Sequence, residues 1–170
     1  MGDNSAISNV MKLLEGIPDP EVPVLSILDL GIVRDVRIYP ADAGAMGVTV
    51  MITPTYNGCP AVDAIRMSIR ITLSAAGFNP VDIRTTLTPA WSTEWLSDAA
   101  RDKLEAFGIA PPNSVPAVCH LDLFQPDEAV RCPRCGSYHT ELVSRFGSTA
   151  CKALYRCLDC QEPFDYFKSH

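Results

Sequence analysis

Two pairs of cysteines constrain this chain more than any other feature. Cys132-Pro133-Arg134-Cys135 and Cys157-Leu158-Asp159-Cys160 are C-x-x-C turns with 21 residues between them. Two intervening residues let both sulfurs of one turn reach a single ion, and two such turns complete a tetrahedral thiolate set. The stretch between them reads as a hairpin, with Thr140 to Phe146 as one strand, Gly147-Ser148-Thr149 as the turn and Ala153 to Arg156 as the return. So small an element cannot bury enough apolar area to fold alone, so a metal should supply most of its stability. Zinc is the preferred ion for four cysteines, being redox-inert and suited to tetrahedral sulfur. An iron–sulfur cluster needs the same thiolates and stays open. Cys151, also inside the ribbon, is either a small buried hydrophobe or an extra ligand.

The chain has seven cysteines, five of them in its last 39 residues. The first residues, Met1-Gly2-Asp3-Asn4-Ser5, lack the basic start and apolar stretch of a signal peptide. Clustered cysteines in such a chain point to metal rather than to disulfides, and to the cytoplasm. Thioredoxin-like use of a C-x-x-C pair needs a helix start in a βαβ setting, which neither pair has. Net charge is −6, divided as −8 over residues 1–130 and +2 over 131–170. An acidic chain is a poor non-specific ligand for nucleic acid or anionic lipid, and no apolar run reaches membrane-spanning length. Neither a nucleic-acid nor a membrane partner is expected.

The first 108 residues carry alternating helix and strand periods. Ile7, Val10, Met11 and Leu14 make one apolar face of a helix from Asn4 to Glu15. Three prolines, Pro18, Pro20 and Pro23, prevent its continuation. Strands follow at Ile32–Tyr39 and Gly47–Thr53, joined by a turn at Ala41–Gly44. A helix runs to Ala76 with Val62, Ile65, Ile69 and Leu73 as its stripe, then a strand spans Val81–Thr88. A last helix is predicted over Glu94–Phe107, with Thr93 as N-cap. The fold class is α+β: a compact α-β-β-α-β-α sandwich over 1–108, a proline-containing linker over 109–130, and a zinc-ribbon-like four-cysteine module over 131–170. Val118 to Phe124 reads as one short strand in the linker.

Cys59 stands directly before Pro60, a favoured first residue of a helix. That places its thiol at the N-cap, where free N–H groups and the positive helix end lower a thiol pKa. Such a thiol either caps the helix without chemistry or is reactive. His120, His139 and His170 are all distant in sequence, so a cysteine hydrolase has no visible base. No catalytic residue is assigned. Asp19, Glu21 and Asp29 form an acidic set around the proline-rich turn, fit either for capping or for holding a metal in transit with Cys59.

The run Asp19-Pro20-Glu21-Val22-Pro23, with Ser26-Ile27-Leu28-Asp29-Leu30-Gly31, resembles the opening motif of the SufT-like iron–sulfur assembly domain, and Thr53-Pro54-Thr55-Tyr56-Asn57-Gly58-Cys59-Pro60 resembles its cysteine loop. With the tail from Cys132 to Lys168, the chain resembles the PaaD (PaaJ) family of aerobic phenylacetate degradation. The resemblance implies an accessory role: assisting maturation of a metal centre of the multicomponent phenylacetyl-CoA epoxygenase, in particular the iron–sulfur cluster of its reductase. The alternative is a non-catalytic structural or regulatory subunit that docks onto the oxygenase. On this resemblance Cys59, Asp19 and Glu21 take the metal-transfer role, and Cys132, Cys135, Cys157 and Cys160 are the ribbon ligands. The epoxygenase subunits are the implied partners. Oligomeric state stays open, a homodimer included.

Overall fold

The structure is a computed structural model that describes residues 3–112 and 130–168. The chain divides into two compact units, Met1–Ser97 and Asp98–His170.

In the first unit, helix α1 (Asp3–Glu15) precedes strands β1 (Val33–Pro40) and β2 (Met46–Ile52), helix α2 (Ala61–Ala75) and strand β3 (Phe78–Thr85). β1 and β2 are an antiparallel pair in which Val36 faces Val50 and Ile38 faces Val48. β3 lies on the other side of β2 and parallel to it, the arrangement a helical crossover requires. The apolar stripes of the sequence become the core. Ile65, Ile69 and Leu73 of α2 are buried, with Val48, Val50 and Ile52 of β2 and Val10 and Leu14 of α1. Met11 stands off that stripe and is exposed.

The proline-rich segment after α1 is held by backbone and side-chain bonds rather than by regular structure. Asp19 Oδ1 accepts the N–H groups of Glu21 (2.9 Å) and Val22 (2.8 Å), and Ser26 and Asp29 cap each other's backbone N–H. Leu25, Ile27 and Leu30 from this segment are buried. The indole N–H of Trp91 donates to the Leu30 carbonyl at 2.7 Å. Gly31 has φ +64°, and a Cβ there would fall 2.8 Å from Trp95 Cβ, so only glycine fits.

The last predicted helix begins later than its periodicity suggests. Residues Thr93–Trp95 form a single 3₁₀ turn capped by Ser92, whose Oγ accepts the Glu94 N–H, and Leu96 is extended. Trp95 packs against Gly31 and carries the Arg34 guanidinium 3.5 Å from its ring centroid, so these contacts interrupt the helix before it starts.

The second unit therefore opens with helix α3 (Asp98–Phe107). Strand β4 (Ile109–Ala110) follows where the sequence suggested linker, and it pairs in parallel with the last strand. β5 (Thr140–Ser144), β6 (Lys152–Cys157) and β7 (Pro163–Phe167) complete a sheet of order β4-β7-β6-β5. Tyr155, Phe164, Ala153, Ala110 and Val130 form its buried cluster together with Cys132 and Cys157. The suggested strand Val118–Phe124 lies outside the described residues.

Candidate metal centre and cysteine loop

The two C-x-x-C turns meet in space. Each is a backbone knuckle. In the first, Cys132 N–H donates to Ser137 O (2.8 Å) and Gly136 N–H to Cys132 O (2.9 Å), with Gly136 at φ +78°. In the second, Cys157 N–H donates to Glu162 O (3.0 Å), and Gln161 takes the left-handed position at φ +64°. The two turns are joined by Leu158 N–H to His139 O (2.8 Å).

This folding puts the Sγ atoms of Cys132, Cys135, Cys157 and Cys160 all within 4.8 Å of one another. Cys132 and Cys160 sulfurs are 3.8 Å apart, and those of Cys135 and Cys157 3.5 Å. A tetrahedral ion with metal–sulfur bonds of about 2.3 Å sets sulfurs at roughly 3.8 Å, so the set fits one such ion. A cluster of several irons is a larger body and needs its thiolates further apart. Cys132 and Cys157 are buried, Cys160 is half-buried and Cys135 exposed, so the centre has an inner and an outer side.

Backbone donors converge on the sulfurs. The N–H of Cys160 is the largest influence on Cys157 and, with that of Asp159, brings its thiol down to about 7. Cys160 receives the Glu162 N–H, yet burial and the neighbouring sulfurs push it up to about 12. One thiol lowered and its neighbour raised is what close sulfurs sharing negative charge do when no cation offsets it. A bound dication would hold all four as thiolates.

Cys151 takes no part in this set. It is buried at the opposite end of β6 from Cys157, roughly 20 Å away at strand rise. Its sulfur lies 3.0 Å from Thr149 Oγ1. The reading as an extra ligand is therefore replaced by that of a packed thiol. His139 is likewise outside the set, with Nδ1 3.0 Å from Asp159 Oδ1.

Cys59 and its acidic neighbours lie in the first unit. α2 begins at Ala61 with Pro60 as N-cap, so Cys59 stands one residue before the cap rather than at it, as the sequence had suggested. Its thiol still receives the Ala61 N–H and a hydrogen bond from Tyr56, but burial and the charges of Glu21 and Asp19 outweigh them. The pKa is raised, the reverse of the direction the helix start suggested. The structure thus brings Cys59 within electrostatic reach of Asp19 and Glu21, which no local spacing could reveal. Tyr56, three residues before the cysteine, was not singled out by sequence. Neither was Thr53, a buried residue at the head of the same loop whose Oγ1 has no hydrogen-bond partner among the described residues.

Two protein families match separate parts of the chain. A family described as "Iron-sulfur cluster assembly protein" matches residues 7–83, and one described as "PaaD zinc beta ribbon domain" matches 118–168. The chain is 50% identical to a protein of Escherichia coli strain K12 named as a putative subunit of 1,2-phenylacetyl-CoA epoxidase, covering 95% of this chain and 92% of that one. It is 37% identical to an "Fe-S protein maturation auxiliary factor" of Porphyromonas gingivalis over 54% of this chain and 84% of the relative. A crystal structure of a DUF59 domain from Bacillus anthracis superposes with a TM-score of 0.54 at 28% identity, over 61% of this chain and 95% of that one. No helix among the described residues is long and apolar enough to cross a membrane. An assembly-type α+β domain followed by this ribbon, matched almost end to end by a protein named for the epoxidase, makes the chain a member of the PaaD family.

Proposed function

We propose that this chain is a cytoplasmic accessory factor of a phenylacetyl-CoA epoxygenase that assists maturation of the iron–sulfur centre of its reductase. The observation that carries this reading is the grouping of Cys59 with Asp19 and Glu21 in a domain of the iron–sulfur assembly type. Carboxylates that raise a thiol pKa leave the site short of positive charge. A cation arriving there would be drawn by the charges of Asp19 and Glu21 and would take the place of the Cys59 proton, with one sulfur rather than a closed ligand set to hold it. Loose holding suits delivery. The name of one relative, an Fe-S protein maturation auxiliary factor, supports the maturation role, and that of the other supports the link to the epoxidase.

The ribbon, in this reading, holds zinc on Cys132, Cys135, Cys157 and Cys160. The ion supplies folding energy to the second unit and no reaction. The test is the reductase purified from cells whose only copy of this chain carries Cys59→Ser. A reductase depleted of its cluster is expected; full cluster occupancy overturns the proposal.

A second reading is favoured by the word "subunit" in one relative's name: a structural component docked on the oxygenase. Stoichiometric co-purification with the oxygenase, unaffected by Cys59→Ser and with the reductase fully loaded, would select it.

A further inference from the structure

We propose that the solvent-facing side of α2 is the contact surface of a homodimer, two copies packing this helix antiparallel about a two-fold axis. Met67 (55% exposed) and Ile71 (61%) are the two most exposed large apolar side chains described in the first unit. They lie four residues apart, hence on one face. The core does not need them, because Ile65, Ile69 and Leu73 already fill the buried side of α2.

Two exposed charges bracket the pair. Asp63 lies four residues before Met67 and Arg70 three after it, and neither has an ion-pair partner among the described residues. Residues seven apart on a helix share a face and are separated by about 10 Å along the axis. A two-fold axis crossing between Arg66 and Met67 therefore sets Asp63 of each copy against Arg70 of the other. The same operation lays Met67 against Met67 of the other copy and brings Ile71 over the exposed Ala64 of that copy. The patch is its own complement in charge and in apolar contact, the requirement of an isologous interface. A patch with one charge sign, or with the charges on different faces, would not be. One helix face is a small contact, so the dimer is weak and salt-sensitive.

The experiment is sedimentation velocity on the full-length protein as purified with its metal, from low to several hundred micromolar, at low salt and at about 0.5 M salt. Wild type should dimerise with concentration, and salt should shift the curve toward monomer. Asp63→Arg and Arg70→Asp alone should each stay monomeric, since each places like charges face to face. Mixed in equal amounts they should form a 1:1 dimer, because one copy then presents two arginines and the other two aspartates. Ile71→Glu should abolish dimerisation without affecting charge pairing, and circular dichroism with metal content establishes that each variant is folded. A wild type monomeric throughout, single charge variants that dimerise like wild type, or a mixture that remains monomeric would overturn the proposal. The result is independent of any role of Cys59, which lies outside the patch.

Discussion

Asp159 sits between the cysteines of the second knuckle, yet its carboxylate is bound to the first: Oδ1 lies 3.0 Å from His139 Nδ1, and Oδ2 accepts the Ser137 hydroxyl at 2.5 Å. Ser137 Oγ in turn accepts the His139 N–H at 2.9 Å. The result is a polar clasp of side chains that ties the two turns together, while the backbone N–H groups of Ser137 and Asp159 serve the sulfurs of Cys135 and Cys157.

Opening that clasp should loosen the grip on the metal without removing a ligand. With Asp159→Ala the four sulfurs remain, but the turns lose a shared partner and sample wider separations. These groups are exposed, so the effect is small in equilibrium terms and larger in rate. We expect metal transfer to a competing chelator to speed up several-fold, measured by chelator absorbance, with metal stoichiometry unchanged in its absence. A rate equal to wild type would show that the clasp is ornamental.

Ligand identity is separable from packing by comparing two buried cysteines. Cys132→Ser removes one of the four sulfurs, and with it most of the metal and the folding energy the metal supplies to the second unit. Cys151→Ser exchanges a buried thiol for a hydroxyl at a cost of about 1 kcal/mol or more and should keep the metal at the wild-type ratio. Elemental analysis of both purified variants decides the matter. Loss of metal from Cys151→Ser would return that residue to the ligand set.

What could be read from the sequence was what local spacing dictates. The pair Cys132/Cys135 must turn tightly, and Ile65, Ile69 and Leu73 must share a face, because both follow from distances of two to four residues. The missed features depend on partners remote in the chain. Helix α3 starts at Asp98 rather than Glu94 because Trp95 is committed to Gly31 and Arg34, more than sixty residues earlier. Ile109–Ala110 is too short for any periodicity to register, and it is a strand only because Asp165 and Tyr166 offer an edge. The Cys59 thiol moves opposite to its helix-start expectation because burial desolvates it, and Glu21 and Asp19, about forty residues away, add their charge to the shift.

The Cys59 shift has a direct kinetic signature. Thiolate is the alkylated species, and a pKa raised above the ordinary 9.0 leaves little thiolate at neutral pH. Alkylation of Cys59 by iodoacetamide, followed by peptide mass spectrometry, should therefore be slow at pH 7 and still rising beyond pH 9. Glu21→Gln removes one charge that holds the proton on, so its rate at pH 7 should exceed that of wild type while the limiting rate at high pH is unchanged. A half-rise at or below the pH found for a cysteine in an unfolded peptide would contradict the burial of the thiol, to which the charges of Glu21 and Asp19 add.

Gln161 offers a way to stabilise the ribbon. It holds φ at +64°, the only left-handed non-glycine among the described residues, at the position after Cys160 that Gly136 fills after Cys135. A side chain in that region costs about 1 kcal/mol relative to glycine. Here its amide donates to the Leu158 carbonyl, an exposed bond that recovers part of the cost. Glycine would remove the strain but would also give the unfolded chain more freedom, which opposes the gain. The net expected for Gln161→Gly is a stabilisation below about 1 kcal/mol, seen as a higher urea midpoint for the second unit in metal-loaded protein, with unchanged slope. A lower midpoint would mean that the Leu158 bond outweighs the strain.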